Sequence, residues 1–192
     1  MLSSFAAYAS IATDVTGWVL ALVREYPNWT ALIVLALAFG ESLAFVSLIF
    51  PFWGIMVFGI GPLLGATDAL NYWTVVAAAG VGAALGDWLS YWLGYHYHDQ
   101  ILKMWPLRNH PDLIDRGRVF FKRWGAWAIV IGRFLGPLRA SVPIIAGITE
   151  MPRVRFQIAN WASAFLWAFV LLMFGDALGH AWTLISRYLW LG

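Results

Sequence analysis

The chain has 192 residues, 61% of them hydrophobic and 11% charged, with a net charge of +2 and a mean hydropathy of +0.72. These values exclude a water-soluble domain, which needs far more polar surface at this length, whereas a body solvated by lipid needs apolar side chains all round its helices. With no cysteine there is neither a disulfide framework nor a thiol catalyst, and thirteen Trp and seven Tyr suit aromatic belts at the headgroup level.

Residues 1–28 are expected to form an N-terminal helix around the apolar stretch 5–23. Asp14 and Thr16 stand in this region and no basic start precedes a compact apolar run, so it reads as part of the mature chain rather than a cleaved signal peptide. The stretch 29–50 comes next and leads directly into 51–65. A helix needs about 20 apolar residues to cross the hydrocarbon core, and 51–65 is too short and is interrupted by Gly54, Gly59, Gly61 and Pro62. It is expected to fold back on its predecessor as a re-entrant hairpin over 29–65, with Pro51 at the junction.

The stretch 73–95 reads as a full span. Behind it, 99–124 gathers Lys103, Arg108, Arg116, Arg118, Lys122 and Arg123, and Arg153 and Arg155 follow soon after. Such loops face the cytoplasm. Asp99, Asp112 and Asp115 interleave with the basic residues, so a nucleic-acid surface is the weaker reading. Between the two basic clusters, 125–147 is interrupted by Arg133, Gly136, Pro137, Arg139 and Pro143. A segment basic on both flanks and broken at its centre is expected to be a second re-entrant hairpin, over 125–149, that enters and leaves by one face. The last span is 156–178, and 179–192 is expected as a C-terminal tail.

The fold class expected is therefore an all-α integral membrane protein, one domain of transmembrane helices plus two opposed, inverted re-entrant hairpins within a core of 29–178. If 73–95 runs from the outside to the basic loop, the two hairpins open to opposite faces. Transporters use paired interrupted segments of this kind around a midplane site.

Chemistry is sought where charges are expensive: Glu41, Asp87, Arg133 and Arg139 lie inside apolar stretches, and Asp176 lies nearer a helix end. A central charge costs about 2.5–3.5 kcal/mol, so four unpaired ones would cost on the order of 10 kcal/mol, comparable with the stability of a whole domain. They must pair or face water. One reading makes Glu41 and Asp87 counter-charges that merely neutralise the arginines. The other gives them work: a guanidinium fork suits phosphate oxygens, and a carboxylate in low dielectric can take and release a proton.

The residues Gly132, Arg133, Phe134, Pro137, Arg139, Pro143, Ala146 and Gly147 resemble the signature of the DedA family, the bacterial branch of the VTT-domain membrane proteins. Further matches are Glu41 with Pro51 ten residues later, Gly86 and Asp87 with Tyr91 and Gly94, and Met151, Phe156, Asn160 and Trp167. The resemblance covers about 29–178. It implies two opposed hairpins and translocation of a lipid such as undecaprenyl phosphate or phosphatidylethanolamine across the bacterial inner membrane, coupled to protons. By position, Glu41 is similar to the family's hairpin acid, and Arg133 and Arg139 to its paired arginines. Asp87 falls in a recurring Gly-Asp feature. Phe52 and Trp53 stand where family members commonly carry Gly and an acidic residue, so the second hairpin acid is missing.

The expectation is a transporter rather than an enzyme, without cofactor or metal. Arg133 and Arg139 are the phosphate-binding residues, Glu41 and Asp87 the proton-coupling ones, and Pro51, Gly132, Pro137, Pro143 and Gly147 shape the hairpins. Alternatives are a proton- or sodium-coupled carrier of ions or small solutes, and a structural membrane-homeostasis protein. A metal at His96, His98 and Asp99 is disfavoured because a spacing of two does not put both rings on one helical face. Arg108, Asn109 and His110 hint at a lipid phosphatase, but a second basic motif is lacking. No Ser stands in a Gly-x-Ser-x-Gly setting for intramembrane proteolysis. Gly80, Gly82, Ala83 and Gly86 permit close helix contact, within the chain or between copies in a homo-oligomer.

Overall fold

The computed structural model describes residues 17–18, 21–23, 25–43, 60, 71–102, 112–135, 139 and 141–190. Among them there is no strand. A short 3₁₀ turn, Pro27–Trp29, leads into α1 (Thr30–Ser42), followed by α2 (Tyr72–His96), α3 (His98–Leu102), α4 (Asp112–Trp124), α5 (Trp127–Phe134), α6 (Ser141–Ile148) and α7 (Arg153–Trp190).

The central element is α2, whose 25 residues extend about 37 Å at 1.5 Å per residue. Asn71 caps it, accepting a hydrogen bond at 3.2 Å from the Thr74 amide. Both α1 and α6 lie against α2, and α7 packs on its other side. The seats are made by glycine. A Cβ on Gly82 would stand 2.2 Å from the Leu35 carbonyl oxygen of α1, and one on Gly147 would stand 2.2 Å from the Tyr91 carbonyl oxygen of α2. The small residues expected to allow close contact therefore serve contacts within the chain, with Gly80 under the Phe165 ring of α7.

The interruption of 125–147 is real. Two helices of 8 residues each, α5 and α6, flank the break. Each is about 12 Å long, well short of the roughly 30 Å hydrocarbon core. Gly132 does not sit in the break. It lies inside α5 where a Cβ would be 2.5 Å from Val142 Cγ2, and it lets the two half-helices meet. Pro143 is likewise inside α6, in the first turn, where a missing N–H costs nothing. Pro51 and Pro137, together with Phe52, Trp53, Arg108, Asn109 and His110, lie outside the described residues. Of the stretch 29–65, Trp29, α1, Leu43 and Ile60 are described.

The last span is longer than expected, because α7 runs without interruption from Arg153 to Trp190, through the region assigned to a tail. No Gly or Pro breaks its interior strongly enough to stop it. Among the described residues it is the one helix long and apolar enough to cross a membrane, over Arg153–Ala181. The helix α2 has the length, but its run of Ala and Gly and its Asp87, on the face buried against its neighbours, lower its hydropathy, while Trp73, Trp88, Trp92 and Leu93 face outward. Outward-facing side chains on α7 are large and apolar, with Val154 71% and Ile158 68% exposed. Such an exterior is unfavourable in water and favourable in lipid. Exposed Trp29, Trp73 and Trp127 stand at or next to the first residues of α1, α2 and α5.

Candidate functional site

All four charges singled out from the sequence are buried, and they meet near the level where α1 ends against the middle of α2. Each arginine takes one carboxylate. Arg139, in the break between α5 and α6, donates from Nη1 to Glu41 Oε1 at 3.3 Å and from Nη2 to Ser42 Oγ at 2.8 Å. Its guanidinium also lies over the Trp167 ring of α7, 4.0 Å from the centroid. Arg133, one residue before the end of α5, pairs through Nη2 with Asp87 Oδ2. It further donates from Nε to Ser163 Oγ at 3.0 Å and from Nη2 to Asn160 Oδ1 at 2.7 Å.

The surrounding hydrogen bonds fix these partners. Asn160 Nδ2 donates to the Ala84 carbonyl at 2.9 Å, tying α7 to α2, and Ser163 Oγ donates to the Asn160 carbonyl at 3.1 Å. Ser90 Oγ donates to the Ser42 carbonyl at 3.3 Å, tying α2 to the end of α1. The two pairs are not independent, because Arg139 interacts electrostatically with Asp87 as well as with Glu41. The result is one cluster held by α1, α2, α7 and the broken segment.

The cluster is not saturated. Arg133 Nη1, Arg139 Nε and Asp87 Oδ1 are buried and make no hydrogen bond among the described residues. Buried donors without partners cost about 1–3 kcal/mol each and call for an explanation. Two guanidinium groups with spare N–H donors are the chemistry that accepts phosphate oxygens. An apolar groove of about 310 Å³ lies between α5 and α7, lined by Trp127, Val130, Ile158, Ala162 and Leu166 together with Ser163, the partner of Arg133.

Sequence reading found the four charges but not their hydrogen-bonding partners. Ser42 and Ser163 went unassigned, and Asn160 and Trp167 were noted through the resemblance alone. A usable signal existed: Asn160 and Ser163 are three apart, so a helix puts both on one face of an otherwise apolar segment. The three histidines 96, 98 and 180 do not join the site. His96 Nδ1 lies 3.0 Å from the Trp92 carbonyl, His98 Nδ1 3.4 Å from the Tyr95 carbonyl, and His180 Nδ1 3.1 Å from the Asp176 carbonyl.

An all-helical body with an apolar exterior and paired charges at its centre is a membrane protein built around a buried ionic site. A VTT domain matches residues 26–177, and the chain belongs to that family, in its DedA branch. It is similar to the inner membrane protein YabI of Escherichia coli, 31% identical over 145 residues, covering 76% of this chain and 56% of YabI. It is also similar to the inner membrane protein YghB of the same organism, 36% identical over 117 residues, covering 59% of this chain and 52% of YghB. An uncharacterized membrane protein of Buchnera aphidicola matches over 191 residues at 27% identity, covering 91% of this chain and 73% of the relative. The chain thus spans little more than half the length of YabI and YghB. No solved structure matches it.

Proposed function

We propose that this protein moves a phosphate-bearing lipid across the bacterial inner membrane, with Arg133 and Arg139 receiving the phosphate and Glu41 and Asp87 exchanging protons. The observation that supports it most is the cluster itself: two buried arginines, each paired to an acid and each with a spare donor. A buried ion pair seldom improves on well-packed apolar residues, so a membrane chain that keeps two has a use for them. The apolar groove that Ser163 helps to line favours a lipid over a small ion, because it offers a hydrocarbon chain a place next to the partner of Arg133.

In this reading, 29–65 and 125–149 are re-entrant hairpins opening to opposite faces, with the basic segment 99–124 in the cytoplasm. The half-helices α5 and α6 and the close of α1 bring the charges to the midplane. Protonation of Glu41 and Asp87 releases the arginines to the phosphate, and deprotonation restores the internal pairs and expels it. Rocking of one hairpin against the other alternates access. Phosphatidylethanolamine and undecaprenyl phosphate both present the required group.

The test uses proteoliposomes that carry a fluorescent undecaprenyl phosphate, with and without a pH gradient. Transport by wild type should respond to the gradient. Arg139→Lys keeps the charge but loses the fork, and its rate should fall at least about tenfold. Glu41→Gln should lose the response to the gradient. Full transport by Arg139→Lys would refute fork binding of phosphate, and gradient-independent transport by wild type would refute proton coupling.

A further inference from the structure

A second cationic site lies away from the buried pairs. Between α4 and the turn joining α6 to α7 is a cavity of about 640 Å³, lined by Arg118 and Lys122 of α4, Arg155 of α7, His98 and Glu150, over a floor that includes Phe121 and Met151. Arg118 and Lys122 are four residues apart and share one face of α4. Arg155 comes from more than 30 residues further along the chain and converges on the same space.

A loop that only orients a membrane protein needs basic residues, but it does not need them gathered round one hollow. Like charges brought together repel, and a bound anion offsets that repulsion. The local acids do not suffice. Arg118 reaches Asp115 only at 4.0 Å, with both side chains largely exposed, a pairing of little strength. Lys122 and Arg155 form no ion pair among the described residues.

Glu150 is the one carboxylate on the cavity lining. It occupies a helix-ending turn in which the Met151 amide donates to the Ala146 carbonyl at 3.0 Å and the Glu150 amide to the Gly147 carbonyl at 2.9 Å. Its φ of +54° is the conformation that favours glycine. Against three cations, one carboxylate leaves a net positive rim suited to a phosphodiester.

The setting favours a lipid as the source of such an anion. The helix α4 is amphipathic, with the half-buried Phe121 packed against the core cluster that holds Tyr91 and Ile129, and Gly117 closed against Ile145. Trp124 and Val119 stay 45% and 66% exposed, the arrangement of a helix lying in the membrane interface. Phe121, Ala126, Ile148 and Met151 add an apolar wall to the cationic rim.

We infer that this cavity binds the phosphate of an anionic phospholipid at the membrane surface, through Arg118, Lys122 and Arg155. It is separate from the buried arginines but mechanically close to them. The Met151 carbonyl accepts a 2.6 Å hydrogen bond from Tyr91 Oη, and Tyr91 stands one turn beyond Asp87 on α2.

The experiment follows thermal unfolding of the full chain in micelles, titrated with dioleoylphosphatidylglycerol, dioleoylphosphatidylcholine or inorganic phosphate. Phosphatidylglycerol should raise Tm saturably, and the other two should not. The double variant Lys122→Gln, Arg155→Gln changes exposed side chains only, so it should unfold at the wild-type Tm without lipid. Its half-saturating phosphatidylglycerol concentration should rise about tenfold or more. Glu150→Gln removes the competing carboxylate and should lower that concentration about threefold. An unchanged titration in the double variant would overturn the site. A rise in Tm with inorganic phosphate that matches the lipid's would overturn the lipid assignment in favour of a free anion. Neither readout uses transport, so both stand or fall independently of the function proposed above.

Discussion

The two buried arginines are neighbours in sequence and unlike in setting. Arg133 is held by an acid, an amide and a hydroxyl that are themselves hydrogen-bonded across α2 and α7. Arg139 stands in the break of the chain and is held by Glu41, by the Ser42 hydroxyl and by the face of Trp167. The first is anchored by a network, and the second rests on partners at the end of α1. The difference teaches which pair is the more replaceable: loss of the Glu41 contact disturbs few other bonds, whereas loss of the Asp87 contact disturbs the joint between two long helices.

The sharpest way to break this comparison is to remove each acid in turn. Asp87→Ala leaves Arg133 buried without its counter-charge and should cost about 3–5 kcal/mol. Glu41→Ala should cost less, about 1–2 kcal/mol, because the Trp167 face and Ser42 remain. Chemical denaturation in micelles measures both, and equal losses would show that the two arginines are held alike. A change of intermediate size tests the seat of the second half-helix. Gly147→Ala drives a Cβ to within 2.2 Å of the Tyr91 carbonyl, and should destabilise by about 1–3 kcal/mol while loosening Arg139 more than Arg133. Crosslinking between cysteines placed on α2 and α6 would report that separation. The smallest effect is expected at Glu150→Gly, which relieves a positive φ and should stabilise by about 1 kcal/mol. A loss of stability there would mean that the Glu150 carboxylate contributes more to the turn than its backbone strain costs.

Much of the fold was legible because lipid imposes a simple rule on side chains. The long apolar runs at 73–95 and 156–178 became α2 and α7, and Gly136, Pro137 and Arg139 in mid-run marked a break that the structure contains. The roles of particular small residues were less legible. Gly132 and Pro143 look like breakers in a linear reading, yet they sit inside the half-helices, because a glycine is also what two close backbones need and a proline is harmless in a first helical turn. The helix α7 also continues past the apolar stretch 156–178, because polarity marks departure from lipid rather than the end of a helix.

By itself the sequence determined the solvent of this protein, its helical class, its family and the four charges that must be compensated. Each of these follows from local composition or from a short motif. Only the tertiary structure decided that Arg133 takes Asp87 and Arg139 takes Glu41, that Ser42, Asn160 and Ser163 complete the cluster, and that Arg155 joins Arg118 and Lys122 around one cavity. Those partners lie 27 to 98 residues apart along the chain for the bonds of the buried cluster. Burial forces a charge to find a partner, but which partner depends on where glycine lets the backbones meet.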